Sequence, residues 1–207
     1  MDQRYNTFYY SHKGLRGMLF HTGIAIQKID FSSRHETNKF LIKLTEVLEL
    51  VERHSFHEDQ YIFPHLTKYD EHLMLELEND HLHGQRLSET LIKLINDVRI
   101  AEDVHIRQKL GMQIFLDFNR FIAFHLQHME KEEEKVNVLL WENFSNQEIV
   151  DMKGAIVGPD HSPKLLTEIT WILRSVSVRE KSHWLEGMST RVSEKTLNTF
   201  RDLAEKL

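Results

Sequence analysis

Apolar residues recur every three to four positions along most of the chain, which is the period of an amphipathic α-helix. The pattern predicts four long helices, over about residues 8–29, 36–65, 70–99 and 104–141. Pro64 is expected to end the second helix, because proline cannot continue the helical hydrogen-bond ladder. Long helices joined by short connections favour antiparallel neighbours. The predicted fold class is therefore all-α, an up-down-up-down four-helix bundle with additional C-terminal helices.

The chain after the fourth helix is organised differently. Ser145 and Glu148 form a capping-box pattern, which predicts the start of a new helix. The segment Gly154–Asp160 contains two glycines and a proline, and it predicts a break in helical structure. Ser162 and Pro163 then supply a cap and a first-turn proline, which predict that a helix begins again there.

We expect residues 1–145 to form the bundle and residues 146–207 to form a C-terminal helical extension. The extension is charge-balanced and carries more apolar surface than a soluble protein leaves exposed. It is therefore expected to pack on the bundle or on a second copy of the chain, which would give a homodimer through the C-terminal helices. The apolar side chains concerned are Leu166, Ile169, Trp171, Leu173 and Trp184.

Composition and charge exclude several classes of function. The chain has no cysteine, so disulfides and thiolate sites are excluded and any metal must be held by nitrogen and oxygen. A net charge of −6 argues against sequence-independent nucleic-acid binding. The N-terminus lacks the pattern of a signal peptide, and no apolar run approaches the roughly 18 residues of a membrane span. We therefore expect a cytoplasmic protein that binds neither membrane nor nucleic acid.

One spacing occurs twice within the predicted helices, a histidine followed by a carboxylate four positions later. The first pair is His54 and Glu58, and the second is His128 and Glu132. Four residues make about one helical turn, so both side chains of a pair can reach one metal ion. Each pair falls on the apolar stripe of its helix, where ionisable groups are costly unless they are paired or bound to a metal. The spacing therefore predicts a metal site.

The antiparallel arrangement places two further histidines at the height of these pairs. His12 lies about as far before the first turn as His54 lies after it, and His81 follows the second turn by about the distance at which His54 precedes it. One layer of the bundle is therefore predicted to collect ligands from every helix. The predicted metal ligands are His12, His54, Glu58, His81, His128 and Glu132.

Two other histidines are alternatives near this layer. His125 could replace His128, join it, or form a hydrogen bond behind the ligands, and His57 is open in the same way. For both, the preferred role is a supporting one, a hydrogen bond to a ligand instead of a bond to the metal. His128 is preferred over His125 as the ligand, because only His128 is followed by a carboxylate four residues later. The acidic cluster Glu130–Glu134 is interpreted mostly as a solvated helix face, with Glu132 as the exception. The remaining histidines are assigned to the surface or to tertiary contacts.

The ligand types narrow the choice of metal. Imidazole and carboxylate ligands without thiolate suit iron, manganese or zinc. Four or more histidines and two carboxylates exceed what one six-coordinate ion with an open position needs. Two ions bridged by Glu58 and Glu132 use the set better. Iron, manganese and zinc all stay open as the metal at this point.

Taken together, these motifs resemble the hemerythrin-like (HHE cation-binding) family. The resemblance implies a four-helix bundle with a carboxylate-bridged, non-haem di-iron centre that can meet dioxygen, nitric oxide or peroxide. It covers about residues 8–145 and rests on His12 in Ser-His-Lys-Gly-Leu-Arg, on His54-x3-Glu58, on Asp80-His81, and on His125-x2-His128-x3-Glu132.

The sequence departs from the pattern of the invertebrate oxygen carriers of that family. The carriers show His-x3-His on the third helix, where Gln85 stands at the partner position in this chain. The difference argues against reversible oxygen carriage. His125 and Glu130 match the His-x4-Asp spacing of the carriers' fourth helix, which keeps His125 open as a ligand.

Three functions fit these features. A protein that binds or senses dioxygen, nitric oxide or iron is preferred, because no substrate-positioning motif accompanies the ligands. A di-iron oxidoreductase acting on nitric oxide, peroxide or ferrous iron is the alternative, so that enzymatic activity stays open. A bundle stabilised by a single zinc or manganese is the third. For the enzyme, redox-active or gating groups could come from four tyrosines, although aromatic packing is the preferred role for them. They are Tyr5, Tyr9, Tyr10 and Tyr61.

Overall fold

The computed structural model describes residues 4–157 and 163–207, with side chains described for 4–152 and 163–207. Regular structure in these ranges is helical, so the predicted all-α fold class, a bundle followed by C-terminal helices, is confirmed. Within the same ranges, no helix combines the length and the apolarity needed to cross a membrane. The four long helices are α1 (Tyr9–Ile26), α2 (Arg34–Tyr61), α4 (Glu71–Ile100) and α5 (Val104–Lys131).

Shorter helices complete the chain. The four-residue helix α3 (Phe63–Leu66) follows α2, and a π-helical turn at Glu132–Val136 continues α5 into α6 (Asn137–Asn143). The C-terminal helices are α7 (Asn146–Val157), α8 (Pro163–Ser175), α9 (Val178–Ser189) and α10 (Glu194–Glu205).

Helix ends follow local chemistry. The second helix ends at Tyr61, a few residues before the predicted end, and Pro64 lies instead in the first turn of α3, where its missing N–H costs nothing. Asp70 caps α4 by accepting a hydrogen bond from the backbone N–H of Leu73 at 2.9 Å. The Ser145 hydroxyl and the Glu148 carboxylate form the predicted reciprocal contacts just before α7.

The predicted break near Gly154 begins later than expected, because α7 continues through Val157. The rest of that break, and the predicted cap at Ser162, lie outside the described residues. Pro163 is the first residue of α8, as the sequence predicts.

The chain divides into two compact units. The predicted boundary after residue 145 is a different division and stays a prediction. The first unit comprises Met1–Met18, His57–Tyr69 and Lys131–Leu207, and the second comprises Leu19–Phe56 and Asp70–Glu130.

In the first unit, the helices α8, α9 and α10 enclose an apolar core of their own. Phe200 is fully buried there, and its ring lies 5.5 Å from that of Trp184, centroid to centroid. Tyr10 of α1 packs against the same core. The other buried members are Leu165, Ile169, Leu173, Met188 and Leu197.

In the second unit, a buried arginine holds the loop between α1 and α2. The Arg107 guanidinium donates hydrogen bonds to the carbonyl oxygens of Ser32 at 2.9 Å and Glu102 at 2.8 Å. A Cβ at Gly111 would lie 2.2 Å from the ring of Phe31, so only glycine lets that ring close over α5. These contacts fix where the long helices of this unit begin and end.

Candidate metal centre

The two predicted histidine–carboxylate pairs lie on helices as the spacing requires. His54 and Glu58 are one turn apart in α2. His128 lies in the last turn of α5, and Glu132 is the first residue of the π-helical turn. Glu58, His128 and Glu132 are buried, whereas His54 is half-buried.

His12 of α1 lies against two buried carboxylates. Its Nε2 atom is 3.4 Å from a carboxylate oxygen of Glu132 and 3.7 Å from one of Glu58. The His12 side chain is fully buried, and so in effect are both carboxylates. Buried carboxylates are costly unless a positive charge compensates them, so this arrangement suits a cation or a protonated imidazole.

The other ring nitrogen of His12 has a different partner. Its Nδ1 atom lies 2.9 Å from a carboxylate oxygen of Glu133, to which the ring N–H donates. Arg16, one turn further along α1, donates to both oxygens of Glu133 at 2.6 and 3.0 Å. The ring of Phe8 stacks on His12 with a centroid distance of 4.9 Å. His12 is therefore held on two sides by residues outside the predicted ligand set.

A second pair of histidines shows a related arrangement. The Nε2 atoms of His81 and His128 face each other at 2.9 Å. The Nδ1 atom of His128 lies 3.4 Å from a carboxylate oxygen of Asp80, the residue before His81 in α4. A hydrogen bond to Asp80 leaves Nε2 of His128 as the nitrogen that can bind a metal.

Two groups of side chains could each hold a metal ion. Within each group, one ligand atom from every residue lies within 4.8 Å of the others. The two groups share Glu58 and Glu132, and together they contain all six residues predicted from the sequence. The role of these residues as ligands stays a prediction. The first group is His12, His54, Glu58 and Glu132, and the second is Glu58, His81, His128 and Glu132.

Electrostatics around His12 favour positive charge. Burial by itself lowers the pKa of His12, but hydrogen bonds to Glu133 and Glu58 and the charge of Glu132 outweigh it, so the pKa lies above its ordinary value. Burial likewise raises the pKa of Glu133, but hydrogen bonds from His12 and Arg16 prevail and hold it at about 2. The chain thus offers a cluster of carboxylates that is complementary to a cation.

The two undecided histidines lie outside both groups. His125 is buried, and its ring centroid lies 4.2 Å from that of Phe121. A Cβ at Gly84 would lie 3.0 Å from the ring of His125, so the absence of a side chain there makes room for the imidazole. His57 is half-buried, with its ring 6.2 Å from that of Tyr61. A supporting position for either histidine stays a prediction.

Other residues singled out in the sequence face solvent. Glu130 is exposed, so the His125-x4-Glu130 spacing does not bring a carboxylate to the centre. Gln85 is also exposed, and it donates a hydrogen bond to Glu89 at 3.1 Å. Tyr9 donates a hydrogen bond to Glu180 of α9. The histidines assigned to the surface are indeed exposed, apart from His161, which lies outside the described residues. They are His21, His35, His65, His72, His83, His105 and His183.

Sequence reasoning missed Arg16, Asp80 and Glu133 as participants. Glu133 was placed on the solvated face of the acidic cluster, but it is half-buried between His12 and Arg16. Its neighbours Glu130 and Glu134 are exposed as expected. The helical period alone could not identify Glu133, because the turn that carries it is π-helical. Asp80 did offer a signal, since it directly precedes a predicted ligand.

Comparison with known proteins gives one distant likeness. No family model and no solved structure matches the chain significantly. The chain is similar to the F-box/LRR-repeat protein 5 of Xenopus laevis, with 24% identity over 161 residues, or 78% of this chain. That stretch corresponds to 23% of the relative, so the chain spans about a quarter of its length.

Proposed function

We propose that the protein is a hemerythrin-like, non-haem di-iron protein that binds or senses dioxygen, nitric oxide or iron. The observation that carries the proposal is that two potential metal-binding groups share Glu58 and Glu132. Two carboxylates common to two sets of histidines would suit a pair of ions. One ion alone would use only one of the two groups.

The donor set fits iron by its chemistry. Imidazole nitrogen and carboxylate oxygen suit iron, manganese and zinc, and the chain offers no thiolate that would favour a softer ion. In the proposed centre, His12 and His54 would hold one ion, His81 and His128 the other, and Glu58 and Glu132 both. Bound iron would supply a redox-active centre that can bind a diatomic ligand.

The chain's own residues keep the donors in place. Asp80 lies against Nδ1 of His128 and Glu133 against Nδ1 of His12, so Nε2 of each ring would be the nitrogen that binds a metal. Burial of both shared carboxylates excludes bulk water from around them. The hydroxyl of Tyr9 contacts Glu180 in α9, so this tyrosine provides no support for the oxidoreductase alternative.

Metal analysis of the aerobically purified chain tests the proposal. We expect two irons per chain, together with the absorption bands of an oxo-bridged di-iron centre. Reduction should abolish those bands, and exposure of the reduced protein to dioxygen or nitric oxide should then produce new absorption. One zinc or manganese per chain with a featureless spectrum would contradict the proposal and favour a bundle that uses metal only for stability.

A further inference from the structure

Two consecutive glutamates reach opposite sides of one imidazole. Glu132 lies 3.4 Å from Nε2 of His12, while Glu133 lies 2.9 Å from Nδ1 of the same ring. Consecutive side chains in an α-helix diverge by about 100°. The wider π-helical turn at Glu132–Val136 brings consecutive side chains closer in direction, so both carboxylates can address His12.

Asn137 stabilises this turn at its end. Its backbone N–H donates to the carbonyl of Glu132, five residues earlier, instead of to the carbonyl of Glu133. The Asn137 side-chain amide donates to the carbonyl of Glu133 at 3.2 Å and so provides that carbonyl with a donor. Asn137 is fully buried, which makes these contacts costly to lose.

The same asparagine joins the π-helical turn to the start of α1. Its side-chain oxygen accepts from the backbone N–H of Thr7 at 3.1 Å, and its amide donates to the side chain of Asn6 at 3.1 Å. Asn6 in turn accepts hydrogen bonds from the backbone N–H groups of Phe8 and Tyr9, at the first turn of α1. These hydrogen bonds connect Glu133 to the first turn of α1, and they therefore help to position His12.

We infer that Glu133, clamped by Arg16 and presented by the π-helical turn, is a positioning residue that fixes His12 with Nδ1 protonated and Nε2 directed at the shared carboxylates. The inference rests on the proposed function, because Nε2 is then the metal-binding nitrogen. A histidine ligand is oriented by the hydrogen bond that its other nitrogen makes. The planar Arg16 guanidinium holds both oxygens of Glu133, so the carboxylate cannot rotate away from the ring.

Glu133→Ala and Glu134→Ala form a matched pair for the test. Both remove a glutamate from the same turn, but Glu134 is exposed. We expect Glu133→Ala to weaken zinc binding about 10- to 100-fold in chelator competition, as loss of a supporting contact does, with stoichiometry unchanged. Glu134→Ala should bind zinc as the unmodified chain does.

Histidine ¹⁵N resonances supply a readout that needs no metal. In the metal-free protein, at a pH above the His12 pKa found by titrating the same resonances, His12 should carry its proton on Nδ1, with its signals assigned by their loss in His12→Asn. Glu133→Ala should shift this ring toward a mixture of tautomers, whereas Glu134→Ala should not. Glu133→Gln retains an acceptor oxygen and should restore the Nδ1–H form.

The outcomes separate the inference from the proposed function. If Glu133→Ala and Glu134→Ala give the same His12 spectrum and zinc affinity, Glu133 does not position His12. If the tautomer changes as expected but the unmodified chain binds no metal, the inference about His12 holds and the proposed function fails. If Glu133→Ala does not fold, Arg16→Met decides, because releasing the clamp should still weaken zinc binding by about tenfold. An unchanged affinity in that variant would overturn the inference.

Discussion

The interior around His12 and the interior enclosed by α8, α9 and α10 are built from different chemistry. The first contains the ionisable side chains of His12, Glu58 and Glu132, all fully buried. The second is formed by apolar side chains, among them the fully buried Phe200. Burial of apolar surface stabilises the second by itself, at about 25 cal/mol per Å². Burial of carboxylates is unfavourable until a cation compensates them.

This difference predicts which interior would respond to a bound metal. A bound metal would stabilise the cluster around His12, because its charge would compensate the buried carboxylates. The core of α8–α10 gains nothing from the metal directly. The helix α1 serves both, since His12 faces the carboxylates while Tyr10 and Gly14, about 200° away around the helix, face the C-terminal helices.

Among the substitutions that distinguish the two interiors, removal of a carboxylate shared by both metal groups should have the largest effect, on metal binding. We expect Glu58→Ala to abolish stoichiometric metal binding, because Glu58 belongs to both potential metal groups. The core of α8–α10 should stay intact, as judged by the near-ultraviolet circular dichroism of Trp184. Metal content per chain measures the loss.

His72→Ala is the control for that variant, since it removes an exposed histidine of α4. It should retain the full metal content. If both variants keep the same amount of metal, the assignment of the centre is wrong.

Truncation of Phe200, in the core of α8–α10, should give the next largest effect, on the free energy of unfolding. We expect Phe200→Ala to lower the free energy of unfolding by about 3–5 kcal/mol, because it leaves a cavity in a closed core. Metal content per chain should be unchanged. Denaturant unfolding, followed by circular dichroism, measures the loss.

Val178→Ala is the matched control for the C-terminal helices. Val178 is 82% exposed, so its truncation should change the free energy of unfolding by less than about 0.5 kcal/mol. If Phe200→Ala changed the free energy of unfolding as little as Val178→Ala does, these helices would have no core of their own.

The two interiors also differ in how much of them the sequence predicts. The four long helices follow from an apolar period that recurs over many turns. Leu44, Leu77 and Phe118 lie on helices of this kind, and all three are buried. The six predicted ligands are recognisable because ionisable residues interrupt that apolar period. Ser177 and Glu180 carried a capping-box pattern for α9 that the sequence interpretation did not use.

The supporting contacts could not be predicted in the same way. Glu133 reaches His12 only because the turn after Lys131 is π-helical, and Asn137 stabilises that turn through contacts with Asn6, more than a hundred residues earlier. A period of 3.6 residues contains no signal for such a turn. Contacts between distant segments determine it, and a single sequence does not display them.

Gly14→Ala separates the two interiors further, because Gly14 lies on the side of α1 that faces α8 and not on the side of His12. A Cβ at Gly14 would lie 3.0 Å from the backbone nitrogen of Ile172 and 3.2 Å from its Cα, so α8 would have to move. We expect Gly14→Ala to lower the free energy of unfolding by about 1–3 kcal/mol, the usual cost of overpacking. Metal content should be retained, since the predicted ligand His12 faces the other way.

Gly187→Ala is the control for Gly14→Ala, and we expect it to raise the free energy of unfolding instead of lowering it. A Cβ at Gly187 in α9 would meet nothing within 4 Å, so only the better helix propensity of alanine remains. Unfolding should become less favourable by about 0.5–1 kcal/mol. If Gly14→Ala stabilises the protein to the same extent, the close approach of α1 and α8 does not exist in solution.

The smallest expected effect concerns the ion pair between α1 and α9. Glu180 accepts hydrogen bonds from Lys13, Tyr9 and Ser177, and these contacts hold the pKa of Glu180 below its ordinary value. A carboxylate with a lowered pKa stabilises the folded state above its unfolded pKa, and that contribution is lost as the pH falls. Glu180→Gln removes the charge but keeps an oxygen for the cap of α9.

We therefore expect Glu180→Gln to lower the free energy of unfolding at pH 7 by at most about 1 kcal/mol, since the Lys13 side chain is 33% exposed and water screens the pair. The difference from the unmodified chain should shrink as the pH falls below the ordinary glutamate value of 4.5. Denaturant unfolding of both proteins across this pH range measures the difference. Metal content, measured in parallel, reports on the interior around His12. A difference that stays constant down to pH 3 would mean that Glu180 contributes through packing, and its ion pair with Lys13 would then play no part in holding α9 against α1.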